Sequence, residues 1–310
     1  MPDRIDIKTV QQFGHLEFFA RQVVEGFITG LHKSPFHGFS VEFAEHKQYN
    51  TGEPTRHIDW KLYARTEKLF VKKFEEETNL RCQIIIDHSS SMFYPKNQGV
   101  KSPALNKLEF SIYCAASLAY LLRKQRDAVG LSVFSEDIKL HTPCKSTAIH
   151  HKYLYSEMEN LLVNKEGSRK TFAVDAMHQI ADNIHKRSLV VIFSDMMDNS
   201  GRNSDELFSA LQHLKYNKHE VILFHVLETE SELKFRFDNR PYTFVDTETK
   251  EEVKLHPLEF RKEYLKAMQN FEKELQLKCG LYGIDFTLAD INSGFEKILM
   301  EYLVKRSRLY

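Results

Sequence analysis

Three residues with oxygen-bearing side chains, Asp87, Ser89 and Ser91, follow directly on an apolar run at 84–86. Their alternate spacing allows the three side chains to converge where the chain turns. One carboxylate and two hydroxyls form a set of hard oxygen ligands, which suits Mg²⁺ or Mn²⁺ better than zinc. The same Asp-x-Ser-x-Ser pattern is also typical of a helix N-terminus, because aspartate and serine are preferred N-cap residues.

Two predicted strands position residues of this kind. The three consecutive isoleucines at 84–86 are typical of a strand buried on both faces of a parallel sheet. A second apolar run, 189–193, ends in the same manner at Ser194 and Asp195. Because ligands of open α/β sheets bind just past the carboxyl ends of strands, both aspartates are expected at the ligand-binding edge.

Strand-like and helix-like segments alternate over most of the chain, which favours an α/β fold with a doubly wound, Rossmann-like and mostly parallel sheet. Further strands are predicted at 128–134, 220–227 and 282–288. Alternating residues and turn signals near 230–256 predict a β-hairpin insertion. The alternating stretch 68–76 is predicted to pair with the strand that ends at Asp87.

An N-terminal extension precedes the sheet. Apolar residues recur every three or four positions across 9–30, which predicts an amphipathic helix that faces the core, and loops with a short strand follow it. We assign 1–77 to this helix and to an arginine- and tryptophan-rich segment packed on the core. Residues 78–310 then form the sheet domain with its hairpin insertion.

The segment around the single tryptophan, Trp60, is rich in charged residues. Asp59 can accept hydrogen bonds from an arginine, and the indole face of Trp60 can accept a guanidinium. Arg56 and Arg65 supply such groups. We interpret the segment as a structural clamp or a partner-binding surface, with a catalytic role as the alternative.

Composition and missing motifs exclude several classes of function. The 310 residues include 43 basic and 43 acidic side chains, so no net charge favours nucleic acid or an anionic membrane. The four cysteines form no Cys-x-x-Cys pair and no Gly-rich phosphate loop is present, so neither a zinc site nor an ATPase is expected. Without a signal-peptide pattern or a bilayer-spanning apolar run, we expect a cytoplasmic protein.

The motifs together resemble two known groups of proteins. Asp87-x-Ser89-x-Ser91 after one buried strand, a threonine that opens a later helix, and Ser194-Asp195 after another buried strand resemble the metal-ion-dependent adhesion site of von Willebrand factor type A domains. The upstream residues Tyr49-x-x-Gly52-Glu53, Arg56-x-Ile58-Asp59-Trp60-Lys61 and Ala64-Arg65 are similar to the bacterial domain-of-unknown-function family 58. The genes of that family are usually found beside those of MoxR-type AAA+ ATPases.

The resemblance implies a binding site for one divalent cation, Mg²⁺ or Mn²⁺. Carried over to this sequence, the ligands or their hydrogen-bonding partners are Asp87, Ser89, Ser91, Thr171 and Asp195. Few carboxylates and several hydroxyls leave such a cation incompletely neutralised. An Asp or Glu of another protein can then complete its coordination.

Our main functional hypothesis is a non-enzymatic adaptor, a metal-dependent protein-binding module that couples client proteins to a MoxR-type AAA+ ATPase during assembly or maturation. The cluster of hydroxyls without an adjacent nucleophile and base motivates it. The alternative is a metal-dependent phosphohydrolase that uses Asp87, although such enzymes usually have a second acid two positions later, where Ser89 stands. An inert scaffold is the third hypothesis.

Overall fold

The computed structural model describes residues 16–32, 46–48, 60–72, 80–95, 105–135, 137–163, 173–197, 204–246 and 251–309. The helices and strands, in chain order, are α1 Leu16–His32, β1 His46–Gln48, α2 Trp60–Thr66, β2 Phe70–Lys72, β3 Arg81–Asp87, α3 Lys107–Lys124, β4 Ala128–Phe134, β5 Ile138–His141, α4 Ala148–Val163, α5 Ala173–Asn183, β6 Leu189–Ser194, α6 Ser204–Tyr216, β7 Glu220–Leu227, β8 Tyr242–Val245, β9 Glu252–Leu255, α7 Pro257–Tyr282, β10 Asp285–Asp290 and α8 Glu296–Leu309. A 3-10 turn at Ser90–Phe93 and a π-helical turn at Thr229–Leu233 complete the regular structure.

Contacts divide the chain into two compact units. The larger unit comprises Met1–Phe27 and Leu80–Tyr310, and the smaller one comprises Ile28–Asn79. The second division lies two residues beyond the predicted boundary at 77/78. The first part of α1, which falls within the predicted N-terminal region 1–77, belongs to the larger unit, where Phe19 packs against Tyr113 of α3 with ring centroids 4.5 Å apart.

The smaller unit contains a two-stranded antiparallel sheet in which β1 pairs with β2. The predicted pairing of 68–76 with β3 is wrong. Both edges of β3 already form hydrogen bonds to parallel neighbours, β4 on one side and β6 on the other, so no edge remains for β2.

The larger unit is built on a six-stranded sheet with the strand order β10-β7-β6-β3-β4-β5. Five strands are parallel and β5 runs antiparallel to β4. The central strands have the apolar runs expected of strands covered on both faces, and all six residues of β6 are buried. The predicted α/β class with a doubly wound, mostly parallel sheet is confirmed.

Helices cover both faces of this sheet. On one face α5, α6 and the end of α7 share a core with Ile85 of β3, Ile192 of β6 and Leu223 of β7. On the other face α3 packs against β3 and β4, and α3 also contacts α4 and α8. The hairpin of β8 and β9 lies within the segment predicted as an insertion.

The strand order reverses at β3, which is followed along the chain by β4 on one side and by β6 on the other. At such a switch point the loops after neighbouring strands leave in different directions and open a crevice at their carboxyl ends. The fold thus places the ends of β3 and β6 where ligands bind in this class of sheet. Within the described ranges, no helix combines the length and the apolar character needed to cross a membrane.

Candidate metal centre

The ends of β3 and β6 bring four of the five predicted metal-site residues into one cluster. Asp87 is the last residue of β3, and Asp195 directly follows β6; each is only 1% exposed. The two strands are parallel neighbours in which Ile86 is paired with Phe193. By this register Asp87 stands beside Ser194 and Asp195 follows one residue later, so both aspartates lie at the carboxyl edge of the sheet.

The two predicted serines reach the same point. The backbone N–H of Ser89 donates to Asp87 Oδ1 at 2.8 Å, and the hydroxyl oxygens of Ser89 and Ser91 are 3.0 Å apart. The Ser91 hydroxyl also hydrogen-bonds the carboxylate of Asp195. The alternative of a helix cap is not supported, because Ser89 makes no side-chain capping bond and α3 is capped by Asn106.

Asp87 is surrounded by neutral hydrogen-bond donors. Besides the N–H of Ser89, the hydroxyl of Ser194 donates to Asp87 Oδ2 at 2.6 Å. Ser194 is itself held in place, because its oxygen accepts the backbone N–H of Met196 at 2.9 Å. In contrast to Asp195, this carboxylate forms no ion pair with a lysine or arginine among the described residues.

Asp195, in contrast, forms an ion pair. The ammonium of Lys107 donates to Asp195 Oδ2 at 2.8 Å, and the backbone N–H of Met197 donates to Oδ1 at 3.2 Å. The backbone carbonyl of Asp195 accepts the Nε2–H of the buried His225 at 3.0 Å, which fixes the strand end to β7. Every oxygen of Asp195 therefore has a donor from the protein.

Lys107 also joins this cluster to the π-helical turn at Thr229–Leu233. Its side chain is 1% exposed, and its Nζ lies 2.7 Å from Glu232 Oε1 in addition to its contact with Asp195. Lysine is rarely buried so fully unless its charge is paired. Lys107 is the first residue of α3, and the capping box of Asn106 and Glu109 fixes the backbone from which it projects.

The two aspartates differ in their ionisation. Burial and the nearby charge of Asp195 raise the pKa of Asp87 to about 7, although hydrogen bonds from Ser194 and Ser89 oppose the shift. Burial also acts on Asp195, but the Lys107 ammonium outweighs it and holds the pKa of Asp195 below its ordinary value. The carboxylates of Asp195 and Glu232 raise the pKa of Lys107 despite its burial.

The donor set suits a hard divalent cation. Asp87, Ser89 and Ser91 offer one carboxylate and two neutral hydroxyls, and a cation beside Asp87 would compensate a buried charge with which no lysine or arginine of the described residues forms an ion pair. The described residues contain no group of three or more His, Cys, Asp or Glu side chains able to hold a metal. A cation here would therefore depend on hydroxyl ligands, as the Asp-x-Ser-x-Ser pattern predicts.

The structure describes only two of the other predicted site residues, namely Trp60 and Arg65. Thr171, Arg56 and Asp59 lie outside the described residues. Trp60 begins α2, and Arg65 is an exposed residue in the last turn of that helix. The proposed roles of this segment stay predictions.

Sequence reasoning missed Lys107 and Glu232, and it gave Ser194 no role of its own. A lysine at the start of an amphipathic helix is expected to be exposed to solvent, since buried lysines are rare. The only available signal was the pattern Asn106-x-x-Glu109, which marks a capped helix start and so fixes the point at which Lys107 enters the sheet edge. Glu232 lies 125 residues from Lys107, and no local pattern connects them.

Comparison with protein families matches residues 45–274 to the family described as "Protein of unknown function DUF58". The chain belongs to this family. The match covers the strands that carry Asp87 and Asp195 as well as the upstream arginine- and tryptophan-rich segment, so the family predicted from the motifs is confirmed.

Among curated proteins, the DUF58 chain is similar to an uncharacterized protein of Mycobacterium tuberculosis, with 21% identity over 192 residues. The alignment covers 62% of this chain and 58% of the relative. The chain therefore matches less than two thirds of that relative's length.

Two solved structures show a weaker likeness. BatB from Bacteroides thetaiotaomicron is 16% identical, with a TM-score of 0.42, over 74% of this chain and 99% of that one. An aerotolerance-related membrane protein from Bacteroides fragilis, with multiple mutations to serines, is 18% identical, with a TM-score of 0.42, over 72% of this chain and 98% of that one. The fold assignment rests on the strand order described above and not on these similarities.

Proposed function

We propose that this DUF58 protein is a non-enzymatic, cytoplasmic adaptor that binds partner proteins through one divalent cation, Mg²⁺ or Mn²⁺, held by Asp87, Ser89 and Ser91. One observation carries the proposal. A carboxylate that is 1% exposed lies at the ligand-binding edge of the sheet beside two serine hydroxyls, and its described hydrogen bonds come from uncharged donors. A bound cation is the simplest source of the missing positive charge.

A cation held in this way favours a protein ligand. One carboxylate and two hydroxyls contribute a single negative charge, so the bound ion keeps a positive charge and open coordination positions. A carboxylate from an Asp or Glu of another protein supplies both the charge and an oxygen ligand. The metal then acts as a bridge whose strength depends on the partner.

The surroundings of the cluster support binding over catalysis. Among the described residues, the hydroxyls of Ser89 and Ser91 bond to each other and to the carboxylates, and no histidine activates either of them. The nearby ammonium of Lys107 is buried between Asp195 and Glu232, where it cannot grip a phosphate group. A phosphohydrolase would need both functions.

The family resemblance suggests the partners. We propose that one partner is a MoxR-type AAA+ ATPase and that the other is a client protein that supplies the Asp or Glu to the metal. The four cysteines are free thiols, which suits a reducing compartment. Free thiols and a buried hydroxyl-rich site are both compatible with an adaptor that meets its partners inside the cell.

The test is capture of a purified MoxR-type AAA+ ATPase from the same organism, with Mg²⁺, with a chelator, and with Mg²⁺ restored. We expect Mg²⁺-dependent capture by the wild type and loss of capture by Asp87→Asn. Asp290→Asn is the matched control, because Asp290 ends β10 at the same sheet edge but lies outside the cluster. Mg²⁺-dependent capture by Asp87→Asn at the wild-type level would refute the bridge.

A further inference from the structure

The start of α3 does not need the side chain of Lys107 for its stability. The first turn of the helix is already satisfied, because Asn106 and Glu109 bond each other's backbone N–H groups at 2.7 and 3.1 Å. The Lys107 side chain nevertheless runs inward to a point 1% exposed and ends between two carboxylates. Its contribution is therefore electrostatic, and it is directed at Asp195 and Glu232.

The ammonium of Lys107 distinguishes the two aspartates of the cluster, because it bonds Asp195 and not Asp87. One oxygen of Asp195 bonds Lys107 Nζ at 2.8 Å, and the other accepts the N–H of Met197. A divalent cation placed against Asp195 would also stand close to a fixed positive charge, and such repulsion is strong where water is excluded. Asp87, whose oxygens accept bonds only from uncharged donors within the described part of the chain, presents no such obstacle.

Glu232 makes this arrangement more rigid. Its Oε1 binds Lys107 Nζ at 2.7 Å, while its Oε2 accepts the backbone N–H of Glu228 at 2.7 Å. The carboxylate of Glu232 thus holds the ammonium as a second anchored partner beside Asp195. Lysine has four rotatable bonds, and two anchored partners restrict the ammonium to one location.

From this geometry we propose that Lys107 is the determinant of ligand number and affinity at the cation position. By holding Asp195, Lys107 removes one of the two carboxylates from the ligand set and leaves Asp87 with the hydroxyls of Ser89 and Ser91. Cation binding by the free protein is therefore weak, and the carboxylate of a partner is needed to strengthen it. This inference rests on the proposed metal-dependent function.

The decisive variant is Lys107→Met/Glu232→Gln. It removes one positive and one negative charge, so the net charge of the Lys107, Asp195 and Glu232 cluster stays the same while Asp195 is released. Glu232→Gln alone is the matched control, because it leaves Lys107 on Asp195. Titration calorimetry with MgCl₂ and MnCl₂ measures the affinity directly, without any partner protein.

We expect the double variant to bind Mg²⁺ and Mn²⁺ at least about tenfold more tightly than the wild type, because a second carboxylate now faces the cation. Adding Asp195→Asn to the double variant removes this gain, whereas Glu232→Gln alone shows none. Equal affinities of the double variant and the wild type would overturn the role of Lys107 and leave the metal bridge intact.

Two further outcomes separate the two proposals. Binding by the double variant with none measurable for the free wild type would also support the role of Lys107, and Mg²⁺-dependent capture of the ATPase then decides the metal bridge: its presence supports the bridge and its absence refutes it. Absence of binding in both would overturn the role of Lys107, and absence of Mg²⁺-dependent capture by the wild type as well would overturn the metal bridge. If circular dichroism shows that the double variant does not fold, Asp195→Asn decides the question: the role of Lys107 requires near wild-type Mg²⁺ affinity, and a loss as large as that of Asp87→Asn refutes it.

Discussion

Asp87 at the end of β3 and Asp195 after the end of β6 stand at neighbouring positions of one sheet, and both are 1% exposed. Asp195 bonds the ammonium of Lys107 at 2.8 Å. Asp87 bonds a serine hydroxyl at 2.6 Å and a backbone N–H at 2.8 Å. Among the described residues, Asp195 thus forms an ion pair with a lysine, whereas Asp87, at the same sheet edge, accepts hydrogen bonds only from uncharged donors.

The difference shows that position in the fold does not determine what a buried carboxylate does. Lys107 keeps Asp195 ionised, with its pKa below the ordinary value. Burial and the charge of Asp195 raise the pKa of Asp87 to about 7. Asp195 is a structural anion with its own counter-ion, whereas under the proposed function the counter-ion of Asp87 is a cation from solution.

The largest effect is expected from Lys107→Met. This substitution leaves Asp195 and Glu232 as adjacent carboxylates without their shared cation, and we expect the free energy of unfolding to fall by about 3–5 kcal/mol, as for other broken buried ion pairs. Urea unfolding at neutral pH measures it.

Lys305→Met is the matched control, because Lys305 also binds two carboxylates, Glu220 and Asp285, but its side chain is 12% exposed. Its loss should cost clearly less than that of Lys107. Equal costs would show that burial at the cluster adds nothing to the Lys107 pair.

A pH dependence that is specific to Asp87 is the second expected effect. Because the pKa of Asp87 is raised to about 7 in the folded protein from an ordinary 3.8, the folded state binds more protons than the unfolded chain between these values. The contribution of Asp87 to stability is therefore favourable at low pH and is lost as the pH rises towards 7. Without metal, the free energy of unfolding of the wild type should fall relative to that of Asp87→Asn, on the order of 2 kcal/mol between pH 5 and pH 7.

Urea unfolding of both proteins at several pH values in the presence of chelator checks this pH dependence. A constant difference between wild type and Asp87→Asn across the range would contradict it. Addition of Mg²⁺ should restore the stability of the wild type at the higher pH, since the cation favours the ionised carboxylate.

Removal of the Ser194 hydroxyl should have a smaller effect. Ser194→Ala deletes the donor 2.6 Å from Asp87 Oδ2, and we expect a loss of about 1.5 kcal/mol at pH 8, where Asp87 is ionised. Ser117→Ala is the control, because the Ser117 hydroxyl is equally buried but donates to a neutral backbone carbonyl at 2.8 Å. If both variants lose the same stability at pH 8, the bond from Ser194 does not act on a charged group.

The sequence predicts the positions of the two aspartates far better than it predicts the counter-ion of Asp195. The apolar runs that end in Asp87 and Asp195 identify the two strands, and the alternation of Asp87, Ser89 and Ser91 predicts their convergence. These features are local, so periodicity and spacing reveal them. The sheet class follows from the same runs.

The counter-ion of Asp195 escapes prediction because it depends on contacts between distant segments. Lys107 is 88 residues from Asp195 and 125 from Glu232, and its burial contradicts the usual exposure of lysine. The wrong pairing of 68–76 has a related cause, since strand alternation gives a face but not a partner. In both cases the sequence does not reveal which distant segments of the chain are in contact.

Urea unfolding of the wild type, Asp87→Asn and Asp195→Asn at pH 8, each with and without Mg²⁺, tests the contrast between the two aspartates most directly. Without Mg²⁺ we predict that Asp195→Asn lowers the free energy of unfolding by about 3 kcal/mol, because it deprives buried Lys107 of a partner, whereas Asp87→Asn does not lower it. Mg²⁺ should stabilise the wild type and not Asp87→Asn. Equal losses in the two variants, or no effect of Mg²⁺ on the wild type, would contradict the assignment of Asp87 as the cation ligand.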